Sequence, residues 1–256
     1  AENLEPVKGI QVGLHKNLEE RVVQLKNIVK NYGDKKVLGG IDIEIEEGKI
    51  TAILGESGCG KSTLLNIIAG KIKDYSGEVI FEREHKKGIS YVFQEDTLIP
   101  WKTVYNNLEF VLKGKVEKSE LDKRIKKYLK IVNLEGSEKE FPNMLSGGMK
   151  RRVGIARAFA FPSNYMFMDE PFEFLDVKIK EEIVEDLIKL QESEKKTIIL
   201  ITHDIDTAII LGEKIVILGE KPSVVRASFV NKFALKILEN SEEKEKFKLE
   251  IKKLFL

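Results

Sequence analysis

One stretch constrains the fold of this chain more than any other. It follows the pattern G-x-x-x-x-G-K-[ST] and reads Gly55-Glu56-Ser57-Gly58-Cys59-Gly60-Lys61-Ser62-Thr63. The apolar run before it, at 49–54, predicts a buried strand, and apolar residues at helical spacing follow it from 64 to 69. A strand, a glycine loop and a helix in this order are the context in which the pattern forms a phosphate-binding loop.

The chemistry of such a loop follows from its backbone. Glycines let consecutive N–H groups point into one concavity, and a helix beginning near Lys61 adds the partial positive charge of its N-terminus. Lys61 is expected to reach the β- and γ-phosphates of a nucleotide, and the Ser62 hydroxyl to ligate the Mg²⁺ that bridges them. Thr63 either caps the helix or donates to the α-phosphate. We therefore expect a nucleotide with bound Mg²⁺ as the ligand.

Composition narrows the class of protein. With 256 residues and 42% hydrophobic content, the chain is long enough for one large domain or two small ones. Its net charge is +1 with acids and bases interspersed, so no nucleic-acid partner is expected. No apolar run approaches the length of about 18 residues that spans a membrane, and no signal-peptide pattern is found. The single cysteine, Cys59, excludes an internal disulfide and is interpreted as a filler of the glycine loop.

Short apolar runs between turn residues predict the strands. Turns are expected at 31–36 and 46–48, and residues 5–20 are either an edge strand with Ile10, Val12 and Leu14 alternating or a disordered lead. The predicted strands cover 22–26, 41–45, 49–54, 78–81, 90–93, 165–168, 197–201, 214–218 and 223–229.

Helical periodicity dominates from about 96 to 161 and predicts a helical subdomain inserted into an α/β core. Trp101 is interpreted as a core anchor of this subdomain. Further helices are expected at 177–190, after His203 through Leu211, and in the tail from 232. The expected organisation is an N-terminal lead at 1–20 and a single domain at 21–256, with the C-terminal helix at about 232–256.

Two other positions have chemistry that matches the first loop. The strand at 165–168 ends in Asp169-Glu170, where Asp169 can hold Mg²⁺ and Glu170 can orient or deprotonate water. The alternative is an acidic pair at a solvated strand end. Ser146-Gly147-Gly148, ahead of the helix predicted from Met149, offers a second helix N-terminus for an anion.

At this point a resemblance becomes visible. Leu145-Ser146-Gly147-Gly148-Met149 resembles the LSGGQ signature of ATP-binding-cassette (ABC) ATPases, with Met149 in the fifth position. The resemblance covers about 22–218. It implies an α/β P-loop NTPase with a RecA-like mixed-sheet core, an antiparallel β subdomain and an inserted helical subdomain.

The resemblance assigns roles to four further residues. Tyr32 is similar to the aromatic that stacks on adenine, and Gln94 to the glutamine that senses Mg²⁺ and the attacking water. His203 resembles the switch histidine at the γ-phosphate. Asp176 resembles the aspartate of the D-loop, although Phe174 stands where the family more often has a small residue. Three of them also have a plainer interpretation: Tyr32 as a turn tyrosine, Gln94 as a solvated loop amide and His203 as a structural histidine.

The resemblance also implies partners. ATP would lie between residues 55–63 of one copy and 146–149 of a second copy. The stretch 94–104, with its Leu98-Ile99-Pro100-Trp101 sequence, is similar to nitrate, sulfonate and taurine importer ATPases. This group implies a separate membrane permease, a helix of which enters the groove near 94–104. It also implies a solute-binding protein acting indirectly and a location at the cytoplasmic face of the membrane.

Three other functions compete with this one. A non-transport ABC ATPase of DNA repair would carry a long coiled-coil insert, but the interval 63–145 is short and contains Pro100 and Pro142. A regulatory module with a dead site would lack Lys61, Glu170 or His203. An exporter ATPase stays open, with the 98–104 stretch favouring import. The sequence does not identify the transported solute.

Overall fold

The computed structural model describes residues 10–11, 22–81, 88–236 and 241–255. The chain divides into two compact units, Ala1–Lys86 with Thr197–Leu256, and Lys87–Lys196. The strands in chain order are β1 (Ile10–Gln11), β2 (Val22–Tyr32), β3 (Lys35–Glu46), β4 (Ile50–Leu54), β5 (Ser76–Phe81), β6 (Ile89–Val92), β7 (Tyr165–Asp169), β8 (Thr197–Thr202), β9 (Lys214–Leu218) and β10 (Val225–Val230). The helices are α1 (Lys61–Ile68), α2 (Val104–Leu112), α3 (Lys118–Ile131), α4 (Gly147–Ala160), α5 (Val177–Glu194), α6 (Ile205–Leu211) and α7 (Glu242–Phe255).

The first unit contains a mainly antiparallel sheet in the order β1-β5-β2-β3. β1 pairs in parallel with β5, so Ile10 belongs to an edge strand, while Val12 and Leu14 lie outside the described residues. The expected turn at 31–36 was too long. β2 and β3 continue to the pair Tyr32–Lys35 and leave only Gly33 and Asp34 in the turn, with Gly33 at φ +57°.

The same unit contains the strand set β10-β9-β4-β8. β4 pairs in parallel with β8 and β9, whereas β10 runs antiparallel to β9. Every residue of β4 and β8 is buried, as expected for parallel strands covered on both faces. Leu54 is in register with Thr202 and with Ile217, so the carboxyl ends of these strands lie along one edge. Ligands of α/β proteins bind at such an edge.

The C-terminal helix is shorter than expected. α7 begins at Glu242 rather than near 232, because the chain first makes a turn at 232–235. The buried Asn231 side chain precedes this turn and donates to the carbonyl oxygens of Ile209 and Gly212. Phe247 of α7 then packs against Phe229 and Phe233. The centroid of the Phe247 ring lies 5.7 Å from the ring centroid of each.

In its described residues, the second unit contains the parallel pair β6 and β7, four α-helices and a 3₁₀ helix at Pro142–Met144. Helices α2 and α3 pack on α4 through fully buried side chains such as Leu108, Leu112 and Leu129. Three of these helices, α2, α3 and α4, lie within the interval 96–161 that helical periodicity marks in the sequence.

Trp101 corrects an expectation about this unit. Its side chain is 77% exposed, so it does not anchor the core. The buried Asn107 explains the exposure, because its amide bonds the backbone of Ile99, Lys102 and Thr103 and holds the loop on the outside of α2.

Candidate functional site

The glycine loop joins β4 to α1 in the conformation that its sequence requires. Gly58 and Gly60 have φ of +79° and +116°, a region that residues with a Cβ rarely adopt. A Cβ on Gly60 would also lie 3.0 Å from the side chains of Val37 and Leu38. Gly60 is the N-cap of α1, and no side chain caps the helix there. A bare helix N-terminus behind a glycine loop fits a phosphate group.

Lys61 lies across this loop. Its ammonium donates to the carbonyl oxygens of Gly55 at 2.7 Å and Glu56 at 2.9 Å, and the residue is only 6% exposed. Because its bonds run to backbone oxygens of the loop itself, the positive charge is held within the loop. The first expectation for Thr63 was wrong. It lies inside the first turn of α1, and the cap position belongs to Gly60.

Cys59 fills space beneath the loop. Its side chain is buried, and its sulfur lies 2.7 Å from the place that a Cβ on Gly55 would take. The Ser223 hydroxyl donates to the Cys59 carbonyl oxygen. The interpretation of Cys59 as a filler is therefore confirmed, and Gly55 is the residue that makes room for it.

Strand register places His203 beside the glycine loop. His203 follows Thr202, which is paired with Leu54, the last residue before Gly55. Neighbouring strands lie about 4.8 Å apart, so His203 and Gly55 leave the same edge of the sheet side by side. The next residue, Asp204, caps α6 by accepting from the Asp206 amide and the Thr207 hydroxyl. This cap fixes the backbone that carries the exposed His203 side chain.

Tyr32 lies on the hairpin that covers the glycine loop. It pairs with Lys35, two residues before Val37, whose side chain approaches Gly60. The Tyr32 side chain is 50% exposed at the end of β2. The first unit therefore brings His203 and the hairpin that carries Tyr32 to the glycine loop with its Lys61.

In the second unit, the acidic pair Asp169-Glu170 and Gln94 lie at the same end of the paired strands β6 and β7. Val92 is in register with Met168, so Gln94 and Glu170 each follow two residues later. The Gln94 amide donates to the Glu173 carboxylate at 2.6 Å. Burial, with the Asp169 charge as a second cause, raises the pKa of Tyr91. Glu170 has a φ of +45°, a conformation that is uncommon for a non-glycine residue and that clusters at functional sites.

The Ser-Gly-Gly segment begins α4 as expected. Ser146 is the N-cap, and its hydroxyl accepts from the Met149 amide at 3.3 Å. A Cβ on Gly148 would lie 2.7 Å from Ile179 in the first turn of α5, whereas one on Gly147 would meet no atom within 4 Å. The Asp176 carboxylate caps α5 by accepting from the Ile179 amide at 3.0 Å. The Ser-Gly-Gly segment therefore packs on the turn of α5 that Asp176 caps.

Two arginines of α4 were missed by sequence reasoning. Arg151, which is 6% exposed, donates to the carbonyl oxygens of Phe93 and Gln94. Arg157 donates to the Thr97 carbonyl oxygen at 2.9 Å and to its hydroxyl at 2.7 Å. Burial lowers the pKa of both guanidinium groups. These bonds connect the helix behind Ser146 to the loop that carries Gln94. Nothing in a basic helical stretch distinguishes such arginines from solvated ones.

The residues that the structure describes contain no group of three or more His, Cys, Asp or Glu side chains that could hold a metal ion. The predicted Mg²⁺ donors are the Ser62 hydroxyl, the Gln94 amide oxygen and the Asp169 carboxylate. Because Mg²⁺ usually binds through one or two carboxylates and substrate phosphates, this set fits Mg²⁺ only with phosphate oxygens present. Within the same described part of the chain, no helix is long and apolar enough to cross a membrane.

Comparisons with known proteins agree with this geometry. The family described as "ABC transporter" matches residues 38–173. The chain is 39% identical to an aliphatic sulfonates import ATP-binding protein, SsuB, of Bacillus cereus, over 90% of this chain and 92% of that protein. It is 38% identical to a spermidine/putrescine import ATP-binding protein, PotA, of Spiroplasma citri, over 79% of this chain and 60% of that protein.

A solved structure has the same fold. It is described as the dimeric structure of MJ0796, a bacterial ABC transporter cassette, and it matches with a TM-score of 0.70 and 35% identity over 81% of this chain and 98% of that one. The ABC cassette fold expected from the sequence is thereby confirmed. The chain belongs to the ABC transporter family, as an ATPase that binds ATP and hydrolyses it to drive transport.

Proposed function

We propose that this chain powers uptake of an aliphatic sulfonate or a related small solute through a separate membrane permease, working as a pair of identical copies at the cytoplasmic face of the membrane. The observation that carries the proposal is the presence of two glycine-bearing helix N-termini, at Gly60 before α1 and at Ser146 before α4. Two anion-binding ends on one chain are explained when ATP binds one end of each copy.

The proposed nucleotide contacts follow from each unit's own geometry. Tyr32 stacks on adenine, and the N–H groups of the loop hold the phosphates. Lys61 exchanges its carbonyl partners for phosphate oxygens, which are stronger acceptors for an ammonium group. The proposed phosphate-loop residues are Gly55, Glu56, Ser57, Gly58, Cys59, Gly60, Lys61, Ser62 and Thr63.

Hydrolysis converts ATP and water to ADP and phosphate. Phosphoryl transfer needs positioning and charge neutralisation more than covalent chemistry. Mg²⁺, when held by Ser62, Gln94 and Asp169, supplies part of that neutralisation. Glu170 accepts the proton of the attacking water, and His203 holds the γ-phosphate end of the site. The helix cap after His203 supports a fixed position for this residue.

The second copy completes the site in this proposal. Ser146, Gly147, Gly148 and Met149 of one copy face the triphosphate bound by the other, and Asp176 crosses to the partner. The close packing of Gly148 on Ile179 supports joint movement of these residues. ATP would favour the closed pair because only the closed pair contacts ATP from both sides, which is the differential affinity that a conformational change requires.

The permease is proposed to dock at residues 94–104, with Phe93 directly before them. Phe93 and Trp101 are 38% and 77% exposed, and large aromatic side chains are over-represented among the residues that dominate binding energy at interfaces. Arg151 and Arg157 bond the backbone of the same segment to α4. A force applied to this loop would therefore reach the Ser-Gly-Gly end of α4 through hydrogen bonds inside one unit.

Import of a sulfonate is proposed from the SsuB relative and from the 94–104 stretch. The test is growth of a Bacillus cereus strain lacking its own sulfonate importer ATPase, with an alkanesulfonate as the sole sulfur source. The chain should restore growth, and its Glu170→Gln variant should not. Restored growth by that variant, or no restoration by a well-expressed wild-type chain, would argue against the proposal. Restored polyamine uptake in a strain lacking a polyamine importer ATPase would instead assign the cargo to that class.

A further inference from the structure

Lys30 is a buried cation behind the ring proposed to stack on adenine. It is 2% exposed, although lysine is rarely buried so fully without a partner. Its ammonium lies 4.4 Å from the centroid of the Tyr32 ring, within the range of a cation–π contact. One face of the ring is therefore occupied by a positive charge, while half of the side chain remains open to solvent.

Asp74 holds Lys30 in that position. The Lys30 ammonium donates to the Asp74 carbonyl oxygen at 2.8 Å and to its carboxylate at 2.5 Å. The hydrogen bond from Lys30 lowers the pKa of the Asp74 carboxyl. Asp74 lies in the segment 69–75, which continues directly from α1, the helix of the phosphate loop. The ring is thus connected to the phosphate loop through Lys30 and Asp74 as well as through the hairpin.

We propose that Lys30 is a positioning residue that holds the Tyr32 ring for the base of the bound nucleotide, with Asp74 fixing Lys30. This inference rests on the stacking role proposed for Tyr32. An aromatic ring has two faces, and a cation seated on one leaves the other for the base. A ring already held in place loses less conformational freedom when the base binds.

The expected effect is confined to the base end of the nucleotide. Immobilising one side chain corresponds to a change in affinity of about two- to tenfold. Lys30→Met, which keeps the apolar stem and removes the charge, should weaken ATP binding by that factor. It should leave the binding of inorganic tripolyphosphate unchanged, because tripolyphosphate has no base. The KM for ATP should rise by the same factor while kcat stays constant.

A plainer role for Lys30 makes a different prediction. If Lys30 only ties the 69–75 segment to the sheet, its loss disturbs α1 and weakens ATP and tripolyphosphate alike. Lys30→Arg, which retains a cation over the ring, provides the matched rescue and should bind ATP within about twofold of wild type. Asp74→Asn removes the charge of a side chain that is 85% exposed, so it preserves folding and should give a smaller loss for ATP alone.

Titration calorimetry with ATP and with inorganic tripolyphosphate, on wild type, Lys30→Met, Lys30→Arg, Asp74→Asn and Tyr32→Ala, tests the inference. A loss for ATP alone in Lys30→Met, absent when Tyr32 is already alanine, supports it. Equal losses of affinity for both ligands, or no loss in Lys30→Met and Asp74→Asn, overturn the inference. In either case the stacking role still stands if Tyr32→Ala weakens ATP binding. If Tyr32→Ala binds ATP normally, the stacking role and this inference both fall.

Discussion

At the scale of single residues, the proposed site depends on groups whose geometry leaves little choice of side chain. Gly60 needs a positive φ and has no room for a Cβ, and Gly148 has none beside Ile179. Lys61 is buried within the glycine loop, where its ammonium donates to two carbonyl oxygens. Its charge is therefore poised for a stronger acceptor, and removing it should affect ligand binding more than folding.

Lys61→Ala tests this directly. A hydrogen bond to a charged group contributes about 1.5–3 kcal/mol, so ATP affinity measured by calorimetry should fall by at least about tenfold. Lys115→Ala, at an exposed position outside the proposed site, is the matched control and should bind ATP like wild type. An unchanged affinity in Lys61→Ala would remove the lysine from the proposed phosphate contacts.

At the scale of elements, α4 is held at both ends. Ser146 caps its beginning, and the Lys196 ammonium donates to the carbonyl oxygens of Phe161 and Ser163 at its end. A cation at a helix C-terminus is favourable, but Lys196 is only 5% exposed. Burial lowers the pKa of Lys196 from its usual 10.5 to about 8. The helix that begins with the Ser-Gly-Gly segment is therefore anchored by a lysine that titrates at mild alkaline pH.

The contribution of Lys196 to the free energy of unfolding should rise with pH. Below pH 8 Lys196 is protonated in both states and the folded protein bears the cost of a buried charge. Between about 8 and 10.5 only the unfolded state is protonated, so this residue's contribution to the free energy of unfolding rises with pH, by at most about 3 kcal/mol. The stability difference between wild type and Lys196→Met, from urea denaturation at pH 7, 8.5 and 10, should widen in favour of wild type. A constant difference would contradict the prediction.

At the scale of the whole molecule, the proposed function requires a second copy of the chain. The related structure of MJ0796 is described as dimeric. Because the γ-phosphate is the group that would join the two copies, pairing should depend on intact ATP. Blocking hydrolysis should then trap the pair.

Glu170→Gln should bind ATP without turnover and elute as a dimer on size exclusion with MgATP, because the carboxylate that accepts the proton from water is gone. The wild-type chain should be mainly monomeric under the same conditions as ATP is consumed. The double variant Lys61→Ala/Glu170→Gln should stay monomeric. Normal hydrolysis by Glu170→Gln would refute its role as the base, and a dimer independent of ATP would refute the proposed sandwich.

The amino-acid sequence alone determined the type of most elements and the local chemistry of the loops. Strand β4, the glycine loop and α1 were predicted together, since apolar runs, glycines and helical spacing act over a few neighbouring residues. The same local logic predicted the helix beginning at the Ser-Gly-Gly segment. Local patterns failed for Trp101 and for the start of α7. At both places an asparagine side chain bonds the backbone of other residues: Asn107 bonds Ile99, and Asn231 bonds Ile209.

The tertiary structure alone decided which of these residues lie close together in space. Parallel register brings His203 beside Gly55 and Gln94 beside Glu170, although about 150 and 76 residues separate the partners along the chain. Burial and long-range hydrogen bonds revealed Lys30, Arg151 and Lys196, whose sequence surroundings resemble those of solvated cations. The physical reason is that a strand pairing or a buried charge is stabilised by partners far away in sequence, which no local pattern records.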